Sequence, residues 1–156
     1  MGLFSKSNAR GAAGLQRLSR ALVTGVLDAR DATYFVDVDG DAGGFWDDQL
    51  FYFFVMGDRH EVFQIRGKWN RRLPTGLRTE VLELTNEWNI AKIWPKVYAR
   101  DENDSLAIYT EISVDFGHGV TTDQLDSLLE RGIVTGLNFF ATAGERFPDV
   151  SGVGAN

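Results

Sequence analysis

Three aspartates at alternate positions, Asp37, Asp39 and Asp41, carry the oxygen ligands and spacing of a calcium loop, and Asp48 stands twelfth counted from Asp37. Such a loop needs glycine sixth for its sharp turn, and the residue there is Ala42. It also normally closes on glutamate, and the incoming segment is strand-like rather than helical. The aspartates therefore read as a solvated hairpin tip rather than a metal centre, with a weak oxygen-ligand site as the alternative.

The segment Arg66, Lys68, Trp69, Asn70, Arg71, Arg72 offers different chemistry. Guanidinium groups can neutralise phosphates and a tryptophan can stack on a base. In a strand, however, Arg66 and Lys68 point one way and Trp69 the other. No recognition helix accompanies them, and the whole chain carries a formal charge of −6. A structural hairpin end or a contact for an acidic protein partner is the preferred reading of this basic patch, and nucleic acid the alternative.

Catalytic groups are scarce. The chain has no cysteine, which excludes disulfides, thiol catalysis and Cys-ligated metal sites, and its two histidines, His60 and His118, are 58 positions apart. His118 lies between Gly117 and Gly119 in a turn before a helix start, a location that could bind an anion, though backbone flexibility explains the glycines more simply. Glu111 and Asp115 are four apart in a strand, so they share a face and are expected to meet solvent, with no nucleophile beside them. The sequence predicts a non-enzymatic protein without a cofactor.

The aromatic residues are more informative. Trp88 belongs to a helical apolar stripe and is expected in the core. Phe45, Trp46, Trp69 and Trp94 fall near element ends or turns, where tryptophan anchors interfaces as readily as cores, and they are the protein-interaction candidates.

The 156 residues and 44% apolar content that must position these groups suit one domain, for which residues 14–148 are expected, between flexible segments 1–13 and 149–156. No signal-peptide core or membrane span is read, so the expected location is the cytoplasm. Charge comes in blocks: +4 over residues 1–27, −6 over 28–48, +5 over 59–78 and −8 beyond. A solvated charged face is the commoner origin of such blocks, and an interaction surface the other.

Leu15, Leu18, Leu22, Val26 and Ala29 recur at helical spacing. Ala32–Val38 reads as a strand, and Leu50–Met56 with Glu61–Ile65 as a hairpin about Gly57-Asp58. Leu77, Val81, Leu84 and Trp88 mark a second helix, stopped by Pro95. Lys96–Asp101 and Ser105–Phe116 form a second hairpin. Thr121 and Gln124 stand at capping-box spacing before a third helix, in which Gly132 and Gly136 allow close backbone approach. The order α-β-β-β-α-β-β-α implies an α+β fold, a mainly antiparallel sheet with helices packed against it. The run Leu50–Met56 does not alternate, so it needs cover on both faces, from a helix layer and from a candidate second subunit.

Several pieces fall in one order: Asp39-Gly40-Asp41-Ala42-Gly43-Gly44, Trp46, Leu50-Phe51-Tyr52-Phe53, Gln64-Ile65-Arg66-Gly67-Lys68-Trp69, Asn86-Glu87-Trp88-Asn89, Trp94-Pro95-Lys96-Val97-Tyr98, Gly119-Val120-Thr121 and Gly136-Leu137-Asn138-Phe139-Phe140. Over residues 14 to 148 the chain thus resembles the bacterial YbjN family, labelled sensory transduction regulators. The resemblance implies a type III secretion chaperone-like fold, a protein partner and a homodimer, and it supplies no active site. Ile90, Ile93 and Gln49 depart from the family pattern, where more polar or basic residues and a histidine are often found. The resulting expectation is a protein-interaction or chaperone-like regulatory module. The alternatives are a nucleic-acid-associated regulator using Arg66–Arg72 and a small-ligand-binding domain.

Overall fold

The structure, a computed structural model, describes residues 14–150. The flexibility expected of 1–13 and of the tail from 151 onward lies outside the described residues. Among those described, the elements are α1 (Arg20–Ala29), β1 (Phe35–Val36), β2 (Ala42–Trp46), β3 (Gln49–Met56), β4 (Val62–Pro74), α2 (Arg78–Ala91), β5 (Lys96–Glu102), β6 (Ser105–Asp115) and α3 (Thr122–Arg146). The strands form one antiparallel sheet in the order β1-β2-β3-β4-β6-β5. This is the α+β class expected, with one strand more.

The added strand is β2, a stretch to which the sequence pattern assigns no element. Its glycines are demanded by packing: a Cβ on Gly43 would lie 2.8 Å from the Phe35 ring, and one on Gly44 2.7 Å from Trp46. The β2–β3 and β5–β6 connections are two-residue turns, Asp47-Asp48 and Asn103-Asp104, all four residues at positive φ. Asp and Asn tolerate that region, and such turns match the twist of a hairpin.

The first helix starts later than its leucine spacing predicts. The Ser19 side chain accepts a hydrogen bond from the Leu22 N–H and caps the helix, so Arg20 is its first residue. Upstream, Gln16 pairs backbone to backbone with Val120 at 2.9 Å in both directions, which leaves Leu15 exposed and Leu18 buried. For α3 the predicted capping box is present: Thr121 Oγ1 accepts from the Gln124 N–H at 3.1 Å, and Gln124 Oε1 from the Thr121 N–H at 3.0 Å. Thr121→Ala is expected to cost about 1 kcal/mol, measured as a lowered urea midpoint with unchanged slope.

The three helices cover one face of the sheet. That face carries Phe51, Phe53, Phe63, Ile65 and Ile108, each at most 2% exposed, against Leu125, Leu129 and Phe139 of α3. Gly132 and Gly136 bring α3 close: a Cβ on the first would lie 2.6 Å from Ile65, and one on the second 2.8 Å from Phe51. At the β5 edge, the Asn89 side-chain amide takes the place of a neighbouring strand. Its Oδ1 accepts from the Val97 N–H at 3.0 Å and its Nδ2 donates to the Val97 carbonyl at 2.9 Å. No described helix is long and apolar enough to cross a membrane.

Candidate functional site

The basic segment lies on β4, and the strand alternation divides it as predicted. Trp69 turns toward the helices and is 4% exposed, while Arg66 and Lys68 turn to the opposite face. A register shift between Lys68 and Arg72 brings Arg72 back beside Lys68. Lys68 then sits 2.7 Å and Arg72 3.6 Å from the Glu102 carboxylate, and Arg66 3.5 Å from Glu111. Arg71 lies apart, its guanidinium 5.4 Å from the Trp69 ring centre. Arg66, Lys68 and Arg72 thus share one face and each already faces a carboxylate, while Arg71 stands apart.

Those carboxylates are more enclosed than the sequence suggests. Glu111, expected to meet solvent, is only 9% exposed. It accepts hydrogen bonds from Lys96 Nζ at 2.6 Å and from the Tyr98 hydroxyl at 2.9 Å, both supplied by β5. Burial pushes its carboxyl up, but Lys96, Tyr98 and Arg66 together hold it below its ordinary value. Glu102 behaves alike: burial raises it, and bonds from Lys68 and Tyr109 bring it below.

All four tyrosines are displaced upward. Burial, then the bond to Glu111, pushes Tyr98 up to about 12, and burial followed by Glu102 raises Tyr109. Burial and the nearby aspartates raise Tyr52, and the bond to Asp28 raises Tyr34. A phenol whose pKa is higher folded than unfolded contributes stability that is complete below its ordinary value near ~10 and is lost as pH rises through the folded value. The native phenolate titration is therefore expected at higher pH than that of the urea-unfolded chain, with its latest step absent in Tyr98→Phe. Coincident curves would contradict it.

The aromatic candidates part company. Trp46 packs edge-on against Phe51 and Phe53 at 6.0 and 5.6 Å, inside with Trp69. Trp88 lies 5.0 Å from Phe139, in the core-packing role its stripe predicts. Phe45 is 64% exposed and Trp94 41% exposed.

Trp94 belongs to a groove between α2 and α3 of about 520 Å³, with Leu84, Trp88 and Ala91 on one wall and Thr135, Asn138 and Thr142 on the other. The Arg131 guanidinium covers the Trp94 ring at 4.6 Å. Ile90 and Ile93, the departures from the family pattern, are 78% and 85% exposed. The buried Trp88 indole N–H has no hydrogen-bond partner. Sequence spacing could not show this groove, because its walls are some fifty residues apart; Trp94 was its visible sign.

Two other groups meet the same test. At the aspartate tip, Asp37 accepts from the backbone N–H groups of Asp39 and Asp41 at 3.0 and 2.9 Å, while Asp41 pairs with Arg20. Among the described residues no three His, Cys, Asp or Glu side chains converge to hold a metal. His60 and His118, distant in sequence, line one shallow pocket with Arg17 and Arg59 at the turn end of the sheet, and both are exposed.

The family described as "Putative bacterial sensory transduction regulator" matches residues 19–145. Among solved structures, YbjN, "a putative transcription regulator from E. coli", is 12% identical with a TM-score of 0.72, covering 85% of this chain and 96% of that one. An uncharacterized protein from Methanothermobacter thermautotrophicus is 14% identical with a TM-score of 0.58, over 83% and 99%. A chain of the HopA1–SchA chaperone–effector complex is 12% identical with a TM-score of 0.55, over 81% and 92%. No curated protein matches. At these identities the solved structures establish a shared, chaperone-like fold, while the family match spans most of the sequence: the chain belongs to the YbjN family.

Proposed function

We propose that this chain is a non-enzymatic, chaperone-like regulatory module that binds a segment of another protein, acting in the cytoplasm as a homodimer. The observation that carries the reading is the α2–α3 groove, where the part-exposed Trp94 ring stands with Leu84, Trp88 and Ala91, and where the neighbouring Ile93 is 85% exposed. Exposed apolar side chains gathered at a concave surface are suited to anchoring a partner's apolar side chains. The fold shared with a chain of a chaperone–effector complex supports it.

In this reading Trp94 and Trp88 supply flat, rigid contact area. Glu87 and Lys92, which line the groove, set the direction of the bound segment. Of the other aromatic candidates, Phe45 is free to make contacts, whereas Trp46 and Trp69 would support from beneath. The ion-paired state of Arg66, Lys68 and Arg72 counts against nucleic acid.

Affinity capture from the native cell with mass spectrometry tests it. A reproducible protein partner is expected with the wild-type chain, and its loss with Trp94→Ala and Ile93→Asp, variants at exposed positions whose circular dichroism should be unchanged. Recovery of nuclease-sensitive material alone, abolished by Arg71→Ala and Arg72→Ala, would replace the protein partner with nucleic acid.

A further inference from the structure

Three stretches far apart in the sequence converge at the turn end of the sheet, and each brings a basic side chain. Residues 57–60 turn β3 into β4 and carry Arg59 and His60. Val62 pairs with Asp115, and the Phe116 N–H donates to the Glu61 carbonyl at 2.7 Å, so residues 116–119, with His118, run beside that turn. The Gln16–Val120 bridge holds residues 15–18 against the same stretch. Gly119, at positive φ, permits this approach: a Cβ there would lie 3.2 Å from the Gln16 carbonyl oxygen. Arg17 is fixed by donating from Nη2 to the Arg59 carbonyl at 3.1 Å. His60 also sits at positive φ, a region histidine tolerates better than most residues. Together Arg17, Arg59, His60 and His118 line a pocket of about 470 Å³.

We propose that this pocket binds a phosphate monoester. Of the residues that line it only Glu61 is acidic, and its carboxylate already accepts from the Arg59 N–H at 2.8 Å. Asp115, outside the lining, accepts from the Gly117 N–H at 2.7 Å, and Asp58 belongs to the same turn as Arg59. Among the described residues neither Arg17 nor Arg59 forms an ion pair, whereas Arg20, Arg30, Arg66, Arg72 and Arg78 all do. Basic groups gathered in a concave surface of an acidic chain, without carboxylate partners, attract an anion from outside. The two guanidinium groups present forked donors that match phosphate oxygens, and the imidazoles add N–H donors and, once protonated, charge. A dianion takes up that charge more fully than a single carboxylate. The volume leaves room for the group that carries the phosphate. No lining residue is shared with the α2–α3 groove, so the site stands independently of the protein-binding reading.

The two histidines of the chain both lie at this pocket, so their imidazole C2–H proton resonances report on it directly. Titration of the full chain with inorganic phosphate, followed by these resonances, tests the proposal. Both are expected to move saturably, and saturation should carry both imidazole titrations to higher pH, because the anion favours the protonated ring. Arg59→Ala and Arg17→Ala should each raise the dissociation constant by about tenfold or more, the scale of a hydrogen bond between charged groups. His60→Asn, which retains the tolerance for positive φ, should weaken binding more at pH 6 than at pH 8. All these side chains are exposed, so circular dichroism should not change. Glycerol 3-phosphate and a phosphoserine peptide should both compete with phosphate, and the tighter of the two tells a free phosphate ester from a phosphorylated protein segment. Shifts reproduced by sodium chloride at matched ionic strength would overturn the site. So would phosphate binding unchanged in Arg59→Ala, succinate binding as tightly as phosphate, or binding of phosphate but of neither ester.

Discussion

Phe51→Ala is expected to lower the free energy of unfolding by about 3–5 kcal/mol, the range for deleting a fully buried aromatic side chain. The upper end applies here because the site cannot close. Phe51 is 0% exposed and packs on Gly67 of β4 and Gly136 of α3, positions with no side chain to move into the space it leaves. Trp46 and Phe140, at 6.0 and 6.1 Å, would lose a ring neighbour each. Against the roughly 5–15 kcal/mol typical of a domain, that loss is large. Urea unfolding followed by tryptophan fluorescence measures it. A loss under about 2 kcal/mol would mean that α3 settles onto the sheet.

The second large effect is a difference in sign between two identical substitutions. Gly25→Ala in α1 adds a methyl group to open space and should stabilise by about 0.5–1 kcal/mol, the ordinary helix preference for alanine. Gly132→Ala gains the same preference but places its methyl 2.6, 2.8 and 3.0 Å from Cδ1, Cγ2 and Cβ of Ile65. Cδ1 can swing aside; Cγ2 and Cβ are fixed to a β-branched residue in the sheet. Overpacking of this kind costs about 1–3 kcal/mol, so the net result should be destabilising. Paired thermal or urea melts decide it. Equal signs would require a wider gap between α3 and β4 than the structure has.

Much of this fold was legible because its signals are local. Alternation placed Arg66 and Lys68 opposite Trp69, and the Thr121 and Gln124 spacing located the start of α3. The features that were missed depend on partners far along the chain. The strand Ala42–Trp46 was hidden because its glycines are explained only by rings packed over them. The leucine spacing from Leu15 imitated a helix where Gln16 in fact pairs with Val120. Strand parity identified the face of Glu111, but its burial comes from Lys96 and Tyr98 on another strand. His60 and His118 meet because β4 pairs with β6, a fact their separation of 58 residues conceals. The candidate site was visible as a residue type, Trp94; its gathering with Leu84, Trp88 and Asn138 at one groove was not.

The side-chain amide of Asn89 has a consequence beyond the bonds it makes. A sheet with a free edge can lengthen without limit, each added chain presenting the next with the same template. Here the Val97 step of one edge is already occupied from within the molecule, and the strand at the other edge is two residues long. Growth by strand addition is thereby discouraged at both ends. A contact through the broad surfaces, by contrast, would stop at a fixed number of partners. At high concentration this chain should form closed complexes rather than fibres.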